Sequence, residues 1–441
     1  MELDPLTLSR IQFGLTIGFH FLFPPLSIGL AWLLVVVEGL GWRSNNDDYT
    51  RAGKFFSKIL GLTFVVGVAT GIVMEFQFGT NWAEYSKFVG DIFGAPLAAE
   101  AIFAFFLEST FLALYLFGRE RVSRGVHWFS IFMVAIGATI SAFWIIVANS
   151  WQQTPAGYVI KNGRAELTNF YAAVMNASTL DRFFHTMNAC IICGAMMMAG
   201  ISAYLILKNR DKAAALKTLR LGIVVAAIAS LVALFPTGHS SARQVARTQP
   251  EKLATFEGLI HSQERAPLLI FGIPSDNPPR VDYAVGIPGA LSLLAFDDID
   301  ARVEGIVDLR KAGHPTPPLL PVFISFHLMV GLGTLFILLN CWGVWLIVRG
   351  RLQKTRWFLR LLPWMIPLPL AAMQLGWLVA EIGRQPWVVY RLLKTADAYS
   401  TNVSGAEILT SIIAFSLIYV ALGALYLFIL FKMVRKGPSQ A

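Results

Sequence analysis

The amino-acid sequence predicts an all-α, polytopic transmembrane helical bundle of about nine spans, with the N-terminus outside and the C-terminus cytoplasmic. Three observations carry this. The chain is 56% hydrophobic and 14% charged, where a soluble chain would carry roughly 25% charged residues. Apolar runs of roughly 20 residues, enough to cross about 30 Å of hydrocarbon, recur along its whole length. Its basic residues sort by loop.

The spans fall near 11–38, 55–77, 93–118, 127–148, 182–207, 218–237, 319–348, 358–383 and 406–434. The first is not a cleavable leader. Its n-region, MELDPLTLSR, is acidic as well as basic, and its apolar stretch exceeds the typical h-region of about 7–15 residues. One set of loops holds Arg43, Arg51 and Lys54, then Arg119, Arg121 and Arg124, then Lys208 to Arg220, then Arg349 to Arg356, then Lys432, Arg435 and Lys436. The alternate short loops hold few: Lys87, Lys161, Arg164, Arg384, Arg391 and Lys394. The rule that positive loops stay inside makes the first set cytoplasmic. This sorting accounts for the net charge of +9 without a nucleic-acid partner.

One long polar segment, 238–317, is rich in Pro, Asp and Arg and lies outside by parity. A loop of that length is functional or disordered. The chain therefore divides into a six-span part (1–237), an external loop (238–317) and a three-span part (318–441). Cys190 and Cys193 form a C-x-x-C inside the fifth span with no second pair to complete a zinc site. They read as packing, as does Cys341.

An ionisable group near the bilayer centre costs at least about 2.5–3.5 kcal/mol. The spans nonetheless hold His20, Glu75, Glu100, Glu108, His185, His327 and Glu381. So many in one chain argue against a wholly structural role. Topology gathers His20, Glu100, His185, Glu381 and the uncharged Met329 toward the outer leaflet. His is the commonest haem axial ligand, and Met with His is a recognised pair. A lone transmembrane His is more often a hydrogen-bonding residue, and Met is common in apolar cores, so spacing alone leaves ligation open. His327 and Met329 stand about 200° apart around one helix and cannot serve one haem face together. His127, His239, His261 and His314 fall at interfaces or in the loop. Glu100, Ala104 and Glu108 share one helix face at i, i+4 and i+8, with Glu108 about 12 Å deeper toward the cytoplasm. That suits two stations on a proton path, and equally a polar pair bonded to a neighbouring helix. The serine and threonine of ESTF (108–111) add hydroxyls there.

Eight stretches stand out: SRIQFGLTIGFHFLFPPL (9–26), GVATGIVMEFQFGTNW (67–82), VGDIFGAPLAAEAIFAFFLEST (89–110), VANSWQQTP (147–155), FFHT (183–186), KLATFE (252–257), HLMVG (327–331) and GWLVAEIGRQPW (376–387). By these stretches, in this order, the chain resembles subunit I of the bacterial bd-type quinol oxidases over nearly its full length. The resemblance implies iron ligands: His185 and Met329 on a low-spin haem b, His20 on one high-spin haem, and Glu381 on the other. The high-spin pair would be a second haem b and haem d, or haem b in its place. Glu100 matches a carboxylate beside the high-spin haems and Glu108 a proton-path residue. Lys252 and Glu257 match quinol-site residues of the external "Q-loop". Trp377 matches an aromatic between haems and Arg384 a haem-propionate partner. The resemblance further implies a second large membrane subunit (subunit II), admits a small single-span one, and places the protein in the bacterial cytoplasmic (inner) membrane.

There are two departures. Position 327 is His where the commoner pattern has Arg, so the field on the low-spin haem would be less positive. The outer loop is short, as in the subgroup that includes cyanide-insensitive oxidases. The activity implied is oxidation of quinol outside and reduction of oxygen to water with cytoplasmic protons, building proton motive force without a pump. Two rivals are a haem subunit that passes electrons without reducing oxygen, and a proton-coupled transporter. The transporter would explain Glu75, Glu100 and Glu108 but not a His/Met pair.

Overall fold

The computed structural model describes residues 4–438. The first three residues of the n-region and the last three of the C-terminal part lie outside them. Among the described residues, nine helical stretches are long and apolar enough to cross a membrane: Pro5–Ser44, Asp47–Thr80, Ala83–Phe117, Arg124–Gln153, Thr179–Leu207, Lys212–Thr248, Leu319–Val348, Arg356–Ile382 and Gly405–Lys436. The expected number of spans is borne out, and four of the nine depart from a regular α-helix.

The first stretch is two helices, Pro5–His20 and Pro24–Ser44. Pro24 and Pro25 have no N–H to offer the carbonyls of His20 and Phe21, so the chain breaks there. His20 thus ends a helix, with its carbonyl taken by the Phe23 N–H at 3.1 Å. The third stretch widens into a π-turn over Glu100–Phe105. The sixth widens over Ala233–Gly238 and continues as helix to Thr248, past the expected end at 237. The eighth tightens into a 3₁₀ turn at Leu362–Met365, where Pro363 and Pro367 interrupt the α ladder.

The fifth span forms the middle of the bundle and the ninth its rim, with 78% and 11% of their apolar windows buried. Leu30, Leu34, Phe55, Phe56, Met196, Met198, Leu219 and Ile223 make the main core. At its centre the first and fifth spans touch backbone to backbone. A Cβ on Gly194 would lie 2.3 Å from the Gly29 carbonyl carbon, and one on Gly29 would lie 2.1 Å from the Cys190 carbonyl oxygen. Small residues let membrane helices approach this closely. Gly194→Val is therefore expected to lower the thermal stability of the purified protein by about 1–3 kcal/mol, the usual cost of overpacking. Cys190 and Cys193 are buried and unbridged, and they pack as small residues in this region.

The segment between the sixth and seventh spans is ordered. It holds a helix at Pro250–Glu257, a hairpin of Leu268–Asp276 with Pro279–Ile287, and two short helices, Ala290–Phe296 and Ile306–Lys311. Asp276 takes the Leu319 N–H at 2.6 Å, which fastens the hairpin to the start of the seventh span.

Candidate functional site

His20 and His185 are held the same way. His20 Nδ1 lies 3.0 Å from Thr70 Oγ1, and that hydroxyl donates to the Val66 carbonyl at 2.9 Å. His185 Nδ1 lies 3.2 Å from Thr237 Oγ1, whose hydroxyl donates to the Val232 carbonyl at 3.1 Å. A hydroxyl whose one proton is spent can only accept. Each Nδ1 must therefore carry its proton, and each Nε2 is left with a lone pair. Neither Nε2 has a hydrogen-bond partner among the described residues. A fixed tautomer with an outward lone pair is what a metal-ligating histidine needs. Thr237 sits in the sixth-span π-turn, a distortion that recurs at functional sites.

Met329 meets the eighth span at Gly376, where a Cβ would lie 2.9 Å from its sulfur. His327 is built differently. Its Nδ1 and Nε2 face the carbonyls of Phe323 and Leu269 at 2.9 and 3.1 Å, and its ring stacks on Phe323 at 3.8 Å. Neither nitrogen faces open space. The ring fastens the seventh span to the hairpin.

Glu381 lies in a dense polar hub. Its Oε1 accepts from Asn149 at 2.9 Å and Gln153 at 3.4 Å, and its Oε2 from the Arg384 guanidinium. Arg384 also donates to Gln152 Oε1 at 2.7 Å, while its Nε is buried without a partner among the described residues. Arg182 bonds to Asn149. Trp377 stands one turn before Glu381 on the same span and is half-buried. Sequence reasoning missed Thr70, Thr237, Asn149, Gln152, Gln153 and Arg182. Four of these lie in or beside the quoted stretches VANSWQQTP and FFHT; the amides and hydroxyls carry no chemical signature of their own, and Arg182 stands at the edge of its span, where a basic residue is ordinary.

Glu100 and Glu108 both face the fourth span. Ser141 donates to Glu100 Oε1 at 2.7 Å. One turn away, Gly137 presses on Glu108, where a Cβ would lie 3.0 Å from the Glu108 nitrogen. A regular α-helix would set residues eight apart about 80° from one line. The π-turn absorbs one residue, so the eight rotate about as far as seven would, leaving only about 20°. The distortion thus brings the carboxylates onto one line. Ser109 is tied to the Phe105 carbonyl of its own helix at 2.7 Å. Glu75 departs from expectation. It lies in the second span and is solvent-accessible in this chain, within reach of the charge of Glu100 and next to Phe76, which is 70% exposed.

Lys252 and Glu257 lie on the Pro250–Glu257 helix, buried from Glu251 onward. Lys252 Nζ lies 2.5 Å from Gln153 Oε1. Burial, then the nearby charges of Arg182 and Arg384, push its ammonium well below the usual lysine range. Burial pushes the Glu257 carboxyl up to about 8, and its Oε2 is buried with no partner among the described residues. A neighbouring brace holds the helix. Glu251 accepts from Tyr390 at 2.7 Å and Arg391 at 2.8 Å.

These donors suit haem. Among the described residues no three His, Cys, Asp or Glu gather to hold a metal. Single axial donors fit iron that brings its own equatorial ligands. The unpartnered Arg384 Nε suits a propionate.

Comparison with known proteins agrees with the fold and the motifs. Residues 8–438 match the family model described as cytochrome bd terminal oxidase subunit I. The chain is 40% identical to cytochrome bd ubiquinol oxidase subunit 1 of Bacillus subtilis, across 99% of this chain and 95% of that protein. It is 35% identical to cytochrome bd-II ubiquinol oxidase subunit 1 of Escherichia coli, across 99% and 97%. It superposes on a chain of the bd oxidase from Geobacillus thermodenitrificans with a TM-score of 0.92 at 30% identity, covering 98% of this chain and 99% of that one. The all-α multi-span fold expected from the sequence is thereby borne out, and the chain belongs to the cytochrome bd terminal oxidase subunit I family.

Proposed function

We propose that this chain is the haem-carrying subunit of a membrane quinol:oxygen oxidoreductase in the bacterial cytoplasmic membrane. It would oxidise quinol at the outer side and reduce oxygen to water with cytoplasmic protons. The twin His–Thr arrangement carries the reading, because it prepares two imidazoles for iron in the same way at two separate places. His185 and Met329 would hold a low-spin haem b. His20 and Glu381, with Glu100 nearby, would serve a high-spin pair of haem b and haem d, or haem b in its place. Bound haem supplies electron transfer at the first site, and oxygen binding and reduction at the second.

The residues of the chain do the rest. The unpartnered Glu257 Oε2 takes the proton of a quinol hydroxyl, and Lys252 holds the other end of the headgroup. Arg384, whose Nε has no partner among the described residues, would hold a haem propionate, and Glu381 would offer its carboxylate to iron. Glu108 and Glu100 deliver protons from the basic side of the bundle. A pyridine-haemochrome spectrum of the purified complex, with oxygen uptake driven by a quinol, tests the whole. No haem, or haem without oxygen uptake, would sink it.

Glu257 is a base only when ionised, so quinol oxidation should gain from rising pH. With its carboxyl near 8, kcat/KM for quinol is expected to climb from pH 6 and level off above about 8. Glu257→Gln should flatten that limb and lower kcat/KM by about 100-fold. A pH profile unchanged by the substitution would remove Glu257 from the proton step.

The exposed Glu75 bears on the partner. A carboxylate facing lipid costs at least about 2.5–3.5 kcal/mol, and Ile72, Phe76, Ile102 and Phe106 around it are more than half exposed. This face of the second and third spans is the seat for a second large subunit. A photo-crosslinking residue at position 76 or 106 should capture that subunit. Crosslinks to lipid alone would move the interface elsewhere.

A further inference from the structure

Gln153 ends the fourth span, is almost fully buried and touches both chemical sites at once. Its Oε1 meets Lys252 Nζ at 2.5 Å. Its Nε2 meets the Ala380 carbonyl at 3.2 Å and Glu381 Oε1 at 3.4 Å. Its own carbonyl accepts from Gln249 Nε2 at 3.0 Å. Three elements therefore converge on one residue: the fourth span, the Pro250–Glu257 helix and the eighth span.

The amide can point only one way. The eighth span presents two acceptors, a carbonyl and a carboxylate, so the NH₂ must face it. The oxygen must then face Lys252, whether that amine is charged or neutral. The side chain is polarised between the two sites and cannot serve one in the opposite sense.

We infer that Gln153 is a positioning residue that couples the quinol site to the high-spin haem site. Through one amide it orients the Lys252 amine toward the quinol headgroup and restrains both the Ala380 carbonyl and the Glu381 carboxylate. This deepens the reading above and rests on its placing of Lys252 and Glu381.

The polarity of the amide gives a test that separates its two halves. Gln153→Leu removes both contacts. Gln153→Glu keeps an acceptor for Lys252 but sets a carboxylate against the Ala380 carbonyl and Glu381. The two-subunit complex would be assayed for kcat and KM with a short-chain quinol, and for the reduced spectra of its haems. Gln153→Leu should raise KM by about tenfold, the upper scale of one lost hydrogen bond, and shift the high-spin bands while the low-spin band stays. Gln153→Glu should keep KM within about threefold of wild type, less than one such bond is worth, and still shift the high-spin bands. Lys252→Ala and Glu381→Ala serve as references. If they change KM and the high-spin bands but Gln153→Leu moves only one of the two, the coupling is wrong and the site reading stands. If the references themselves change nothing, the site reading has failed. Should Gln153→Leu not assemble, Gln153→Glu decides: a kept KM with shifted high-spin bands supports the coupling, and any other pattern overturns it.

Discussion

Replacing His185 with alanine is expected to remove the low-spin haem band and lower quinol-driven oxygen uptake by at least about 100-fold, the upper range for disturbing a metal site through its outer shell alone. The geometry makes this more than the loss of a histidine. The Thr237 hydroxyl is committed to the Val232 carbonyl, so it holds the His185 Nδ1 proton and leaves Nε2 as the donor. Thr237→Val should then act as a weaker copy of His185→Ala. The ring would remain, but its tautomer and angle would be loose, at a cost of about 10–100-fold in haem retention or activity. Thr70→Val should do the same to the site of His20 and leave the low-spin band in place. Spectra of the reduced proteins read both. Equal loss of all haem in each variant would mean that these pairs support the fold rather than separate centres.

The spans were legible because twenty apolar residues have few other uses, and because charge sorts by side. The candidate ligands were legible because a histidine or carboxylate in hydrocarbon stands out by its cost. The breaks were only half legible. Pro24 and Pro25 announce the kink after His20, and Pro236 marks a disturbed ladder in ALFPTG, but nothing in EAIFAF announces a π-turn. Such a turn is settled by contacts with other helices, as at Ser141 and His185. The hub around Glu381 was hidden for a related reason. Asn149, Gln152 and Gln153 are ordinary residues at a helix end until Arg384, Lys252 and Glu381 arrive from elsewhere in the chain. Glu75 shows the reverse limit. Hydropathy places it in a span and says nothing about which way it faces.

Replacing Glu108 with glutamine should lower oxygen uptake by about 100-fold, within the range for a lost proton-transfer group, while all haem bands remain. The substitution is nearly isosteric, so the close contact with Gly137 is kept and the helix pair should pack as before. Among the described residues no group donates a hydrogen bond to the Glu108 carboxylate, so glutamine breaks no bond of the fold. What it removes is a group that can be protonated and then release the proton. The neighbouring hydroxyls cannot take over, since Ser109 is spent on the Phe105 carbonyl and Thr110 is exposed on another face of the helix. Glu100 lies close to the same line because of the π-turn, with Ser141 holding one of its oxygens. A proton arriving from the basic side would have to cross from Glu108 to Glu100, a rise of about 10–12 Å along the helix, so water between the two is part of the route. Single-turnover measurements would separate the steps. Electron delivery from quinol to the low-spin haem should keep its wild-type rate, and the later, proton-consuming phase should slow. If the early phase slows as well, or haem is lost, Glu108 has a structural role and the path runs elsewhere.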